Sequence, residues 1–270
     1  MSSFGIERWD PNGAELILKL SPSGTPPDPR SLAGQRVLVI GGSGVVGSHQ
    51  VDGFARAGAT VLLASRSLAA ATTAAEAAST RVPGARIVPV SGDLGTFSGA
   101  EAFADAVTAA HGQVDHVVVA IGSWWSGTGL WDVPPDVWQR FFVDVTTGYV
   151  ASLRAWLPRL PAHGAMVWIL GASGVVPVPG AGPLSMAQAS LVMAQRVVEA
   201  ETRGTRRLFS VVLGNLATRE RPGAPAAWVS ADEAAEVAVA LAARTDAPSQ
   251  GVVIRHRDAL ASVQQRLGLK

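Results

Sequence analysis

At 270 residues, with a formal net charge of +1 and 48% hydrophobic side chains, the chain is long enough for one sizeable core and too evenly charged to present a nucleic-acid or acidic-membrane surface. It contains no cysteine, which excludes a disulfide framework, a thiolate nucleophile and a zinc–thiolate site. The most apolar stretch, 165–181, is broken by Gly171, Gly174, Gly180, Pro177 and Pro179, and the first ten residues carry Glu7, Arg8 and Asp10 instead of an apolar run. Neither a membrane helix nor a signal peptide is expected, and the expected location is the cytoplasm.

Residues 1–31 form a preface: 15–20 has the pattern of a short strand, and 21–30 carries four prolines and reads as an extended linker. From Leu32 to Lys270 the chain reads as one domain. Residues 36–40 are a short apolar run, as a strand buried on both faces should be, followed by helical spacing over 44–57. A strand over 60–65 leads to an alanine-rich helix over 67–79 with Ser67 as a possible N-cap. The alternation goes on with a strand over 86–90, a helix over 97–111, a strand over 114–121 and one long helix over 136–157. It closes with a strand over 165–170, a helix over 183–203, a strand over 208–213, a helix over 231–243 capped by Ser230, and a last strand over 251–254. Repeated strand–helix–strand units predict a parallel sheet covered by helices on both faces, a doubly wound α/β fold of the Rossmann type.

The first strand runs into Gly41-Gly42-Ser43-Gly44-Val45-Val46-Gly47, in which Gly42, Gly44 and Gly47 match G-x-G-x-x-G. Such a loop turns tightly, brings backbone close to a pyrophosphate and opens a helix whose free N–H groups and positive dipole end favour phosphate. The loop therefore predicts a dinucleotide site; the alternative is a tight turn with no ligand. At the end of the second strand stand Ser65 and Arg66, where a site built for an unphosphorylated ribose would place a carboxylate. Arg66 suits a 2′-phosphate, with Ser65 adding a hydroxyl, which favours NADP(H); otherwise Arg66 is a solvated first-turn residue. Asp93 and Leu94, after the third strand, either frame the adenine or, in the case of Asp93, cap the next helix.

With these residues in place the chain resembles the short-chain dehydrogenase/reductase family over about 32–257. Ala120-Ile121-Gly122 is similar to the family's Asn-Ala-Gly after the fourth strand, and Thr147-Gly148 and Leu157-Pro158 match the long helix and its end. Leu213-Gly-Asn-Leu-Ala-Thr218 looks like Pro-Gly-x-Val-x-Thr. The resemblance implies a sheet order of 3-2-1-4-5-6-7. It also implies a nicotinamide carboxamide bonded by Thr218, with Ala120, Gly122, Gln188 and Leu216 around the cofactor, and a dimer or tetramer as the assembly.

The family's chemistry uses an Asn, a Ser, a Tyr and a Lys, because transferring a proton at the substrate oxygen needs an ionisable group of tuned pKa. In the register set by Gly148 and Pro158, Val145 stands at the Asn position, Gly171 at the Ser, Leu184 at the Tyr and Gln188 at the Lys. Composition agrees: Lys19 and Lys270 are the only lysines and Tyr149 is the only tyrosine. Tyr149, one helical turn beyond Val145, is expected in helix packing. Ser173, Ser185 and Gln188 flank the site without being useful bases, and Asp144 reads as a helix-surface carboxylate. The histidines at 49, 111, 116 and 163 read as structural, His256 lies past the last strand within possible reach of a partner subunit, and no metal-ligand spacing occurs.

Trp124, Trp125, Trp131 and Trp228 suggest an aromatic cavity for a small apolar molecule, or else the packing of a loop or subunit contact. Segment 219–228, with two prolines, takes the place of the family's substrate lid. Two functions follow: an NADP(H)-dependent oxidoreductase on an apolar or aromatic carbonyl or alcohol with a rearranged or water-mediated proton path, or an NADP(H)-binding protein without turnover, acting as a sensor or partner subunit.

Overall fold

The computed structural model of the protein describes residue 28 and residues 31–269; the strand expected over 15–20 and most of the linker over 21–30 lie outside the described residues. The elements run β1 (Arg36–Ile40), α1 (Val45–Arg56), β2 (Thr60–Ser65), α2 (Leu68–Arg81), β3 (Ile87–Ser91), α3 (Phe97–His111), β4 (His116–Val119), α4 (Pro135–Trp138) and α5 (Asp144–Trp156). They continue with β5 (Ala165–Gly171), α6 (Gly182–Thr202), β6 (Leu208–Leu213), β7 (Leu216–Ala217), β8 (Val229–Ser230), α7 (Ala231–Ala243), β9 (Gln250–Ile254) and α8 (Arg257–Leu267).

Seven parallel strands form one sheet in the order β3-β2-β1-β4-β5-β6-β9, and β7 pairs with β8 in a separate two-stranded ribbon. The expected order is thus met, with β9 as the seventh strand of the main sheet. Side chains alternate across it. Val37 and Val39 face a core shared with α1, α2, α7 and α8, while Leu38 and Ile40 face a second core shared with α3, α5 and α6. Each such Val or Leu, fully buried, contributes roughly 1.5–3 kcal/mol relative to an exposed one. Pro89 sits in β3, an edge strand, where its missing N–H leaves no ladder bond unmade.

Side chains start several helices. Ser67 caps α2 by accepting from the Ala70 N–H, Thr96 caps α3 through the Gly99 N–H, and Ser230 and Glu233 form a reciprocal capping box on α7.

One expectation is corrected, and one helix joins the elements that the sequence predicts. The long helix expected over 136–157 is not uniform: a π turn, Gln139–Val143, separates α4 from α5. The extra residue lets Phe141 turn inward against Trp125 while Phe142 stacks on Trp138, with ring centroids 4.4 Å apart. Beyond the last strand, 257–267 is helical, with Leu260, Val263, Gln264 and Leu267 buried at i, i+3, i+4 and i+7. His256 caps this helix by accepting from the Ala259 N–H at 3.4 Å.

Candidate functional site

The carboxyl ends of β1, β2, β4, β5 and β6 converge on one edge of the sheet, and the loops leaving them carry the residues singled out above. At the end of β1 the chain turns at Gly41, whose φ is +84° and whose missing side chain leaves room for the Ala120 carbonyl. Gly47 lies so close to the Gly41 carbonyl that any β-carbon would overlap it. These two contacts fold the loop flat against α1.

No side chain caps α1 and no carboxylate sits in its first turn. The N–H groups of Val45, Val46 and Gly47 therefore lack both intrahelical partners and a capping oxygen. Ser43 Oγ bonds Ser65 Oγ at 3.2 Å, linking the loop to the end of β2. Arg66 follows, exposed, and forms no ion pair among the described residues.

Asp93 is exposed, and its carboxylate accepts from the Gly95 N–H at 2.8 Å and the Thr96 hydroxyl at 2.5 Å. These bonds to the charged form hold its pKa below the ordinary aspartate value. Asp93 thus closes the turn before α3, whose cap is Thr96 itself. Leu94 is buried in the second core. Ala120 donates its N–H to the Ile40 carbonyl at 2.9 Å, and a β-carbon on Gly122, whose φ is +123°, would meet Val145 Cγ2 at 3.9 Å.

The positions that would carry proton chemistry cluster as expected, but filled otherwise. Gly171 ends β5, and its N–H donates to the Gln188 side-chain oxygen at 2.8 Å. Leu184 is 5% exposed and Gln188 6%. Tyr149 is fully buried, its hydroxyl donating to the Ile169 carbonyl at 2.5 Å, and burial pushes its pKa well above the ordinary phenol range. It is locked out of proton transfer. Asp144 lies on the surface, accepting from Gln139 at 2.8 Å. Among the described residues, Ser185 Oγ is enclosed without a partner, as is Thr218 Oγ1. Leu216 packs its side chain on the first core.

The aromatic wall differs from expectation in its members. Trp131 is 88% exposed and Trp124 60%, so neither encloses anything in this chain alone. The hollow beside α6, of about 580 Å³, is lined by Leu130, Val133, Pro135, Trp138, Gln139 and Met186. Trp138 was legible as one half of an aromatic pair at i, i+4 with Phe142. Missed altogether was Arg219, which reaches Asp52 in α1. The signal was Asp52 itself, a carboxylate on the inward face of α1 that needed a cationic partner.

Among the described residues no group of three or more side chains suits a metal ion, and no helix is long and apolar enough to cross a membrane. A family model for short chain dehydrogenase matches residues 35–221. The chain is 31% identical over 152 residues to a cis-2,3-dihydrobiphenyl-2,3-diol dehydrogenase of a Pseudomonas species, covering 54% of this chain and 53% of that protein. It is 31% identical over 155 residues to a cis-1,2-dihydrobenzene-1,2-diol dehydrogenase of Pseudomonas putida, covering 55% and 54%. The matched stretch spans about half the length of these curated relatives. Among solved structures, an NADPH-bound short chain oxidoreductase from Pseudomonas aeruginosa containing an atypical catalytic centre superposes with a TM-score of 0.73 at 22% identity, over 83% of this chain and 96% of that one. A metagenomic short-chain oxidoreductase in complex with NADP superposes with a TM-score of 0.71 at 24% identity, over 83% and 98%. The matched model, covering well over half of the chain, and the shared sheet order agree: the chain belongs to the short-chain dehydrogenase family.

Proposed function

We propose that this chain binds NADP(H) along the 41–47 loop and serves as an oxidoreductase for an apolar or aromatic carbonyl or alcohol, with water in place of the missing proton-transferring side chains. The observation that carries the nucleotide reading is the fit of the residues to its parts. Among the described residues, the uncapped end of α1 suits the pyrophosphate, the unpaired Arg66 beside Ser65 suits a 2′-phosphate, and the enclosed, partnerless Thr218 hydroxyl suits the carboxamide. Ala120, Gly122 and Leu216 would line the path between, Asp93 and Leu94 would border the adenine, and Gln188 would stand behind the ribose. The solved relatives that carry NADPH or NADP support the same choice.

Bound nucleotide supplies the hydride. The chain supplies position: it holds the two reacting partners together in the cleft, with Leu130, Trp138 and Met186 lining the hollow beside it. The aromatic hollow and the cyclic cis-dihydrodiols named for the curated relatives support a ring-bearing substrate. Ser173 and Ser185 are the hydroxyls nearest the vacated positions and would orient the water. Met186, Met193 and Val197 are exposed on one face of α6 and support a homodimer or tetramer as the working form.

A second reading is favoured by one observation. The Gln188–Gly171 bond, the apolar Leu184 and the locked Tyr149 leave no ionisable side chain at the vacated catalytic positions among the described residues, as suits a nucleotide sensor or partner subunit without turnover. Titration with NADPH and NADH, followed by NADPH oxidation against a panel of aromatic aldehydes and ketones, separates the two. Tighter binding of NADPH with turnover is the expected result. Binding without turnover on any member selects the second reading, and failure to bind either nucleotide removes both.

A further inference from the structure

Arg219 immediately follows Thr218 and leaves the site rather than facing it. Its Nη1 donates to Asp52 Oδ2 at 3.1 Å and its Nη2 to Ser48 Oγ at 2.6 Å. Ser48 in turn donates to the Val45 carbonyl at 2.9 Å, in the first turn of α1. Asp52 is fully buried and also receives Arg81 at the end of α2, through bonds of 2.6 and 3.0 Å. His49 Nδ1 lies 3.0 Å from Asp232 and 3.1 Å from Arg219 Nη1; as a donor it serves the first, as a bare nitrogen it accepts from the second. A guanidinium on a fully buried carboxylate is a strong, directional clamp, because the buried carboxylate is cut off from water and needs charged donors, and the planar group fixes its own orientation.

The clamp joins two parts of the candidate site that no other side-chain hydrogen bond joins among the described residues. The α1 end holds the phosphate loop, and Thr218 stands beyond the β7–β8 ribbon, its backbone held by a turn in which the Arg221 N–H donates to the Thr218 carbonyl at 3.0 Å. A dinucleotide must be met at both places at once, so the distance between them has to be set.

We infer that Arg219 is a positioning residue: clamped on Asp52 and Ser48, it fixes Thr218 at the correct distance from the phosphate loop to meet the nicotinamide end of NADP(H). This rests on the nucleotide reading proposed above. A purely structural clamp would lower stability and weaken every ligand alike; a positioning clamp weakens only ligands that carry the nicotinamide.

The test titrates NADPH and adenosine 2′,5′-bisphosphate, which lacks that half, into wild type, Arg219→Met, Arg219→Lys and Arg81→Met. Arg219→Met is expected to weaken NADPH about tenfold, the scale of one lost hydrogen bond, and to leave the bisphosphate within about twofold. Arg219→Lys should fall between, and Arg81→Met, which removes the other partner of Asp52, should lower Tm with the affinity ratio unchanged. Equal weakening of both ligands by Arg219→Met, or no change in NADPH, overturns the inference. If Arg219→Met does not fold, the ratio in Arg219→Lys decides on the same terms. Wild type that binds neither ligand overturns the nucleotide reading itself, and this inference with it.

Discussion

The side-chain oxygen of Gln188 accepts the backbone N–H of Gly171 at 2.8 Å, so the positions where the family keeps its lysine and its serine are tied to each other. The bond fills the space of a lysine and a serine side chain, and Leu184, 5% exposed, seals the tyrosine position. The vacancy is a packed arrangement with its own stability.

That arrangement predicts how a restored site behaves. A β-carbon on Gly171 would meet Ser173 Oγ at 3.6 Å and Gln188 at 3.8 Å, ordinary contact distances, so Gly171→Ser should change stability by less than about 1 kcal/mol. Gln188→Lys removes the acceptor of the Gly171 N–H and should cost about 1–3 kcal/mol, and Leu184→Tyr should cost a similar amount through overpacking. The triple variant is expected to melt earlier yet to raise NADPH-linked reduction of an aromatic aldehyde by on the order of 100-fold or more, the usual contribution of general acid–base catalysis. Thermal melts and initial rates on the same preparations check both halves.

Thr218 sets stability against binding. Its Oγ1 is enclosed and has no partner, a state that penalises the free protein. Thr218→Val keeps the branched shape and removes the hydroxyl. The free protein should gain about 1 kcal/mol or more, while NADPH binding should weaken about tenfold. Denaturant unfolding without ligand, beside a fluorescence titration, reads the two opposite signs.

Arg66 is exposed beside Ser65, and a charge-assisted bond to a 2′-phosphate is worth about 1.5–3 kcal/mol. Arg66→Ala should therefore lower NADPH affinity by roughly 10- to 100-fold and leave NADH affinity unchanged. Equal affinities of the wild type for the two nucleotides would count against the assignment.

Much of this was legible from the residues. Strong local signals fixed the main strands: Arg36–Ile40, Thr60–Ser65 and Leu208–Leu213 appear with the bounds their apolar runs predict. The glycine loop was legible because Gly41 and Gly47 answer to close backbone approaches, which only sequence-local glycines can satisfy. Helix α8 was equally written in its spacing, from Leu260 to Leu267, beyond the 32–257 stretch that resembles the family. The π turn and the Arg219 clamp were of another kind. Whether Gln139–Val143 closes as an α or a π turn depends on where Trp125 and Trp138 lie, and Asp52 and Arg219 meet only through the fold. Side chains far apart in sequence report on such contacts only by their need for a partner, which Asp52 showed and which named no partner.

His116 predicts an acid response of definite sign. It is buried, with Nε2 bonded to the Gln35 side-chain oxygen at 2.6 Å and Nδ1 accepting the Ala165 N–H at 3.0 Å. That pairing fits only the neutral ring. Burial, with the nearby Arg207 charge second, pushes its pKa down from 6.5 to about 4. Between those values the unfolded chain holds a proton that the folded chain does not, so stability is full above about pH 6.5, falls as pH drops towards 4, and levels below. The loss over that window is on the order of 3 kcal/mol at 1.36 kcal/mol per pH unit. Carboxylates such as Asp232, Glu233 and Asp246, whose folded pKa values are lowered, give up their stabilisation at lower pH, below their ordinary values. Urea unfolding at pH 7, 5.5 and 4.5 should show the decline in wild type. In His116→Leu, which starts less stable because the Gln35 oxygen and Ala165 N–H lose their partner, the curve should be nearly flat across the same range; an unchanged slope would assign the acid sensitivity to another group.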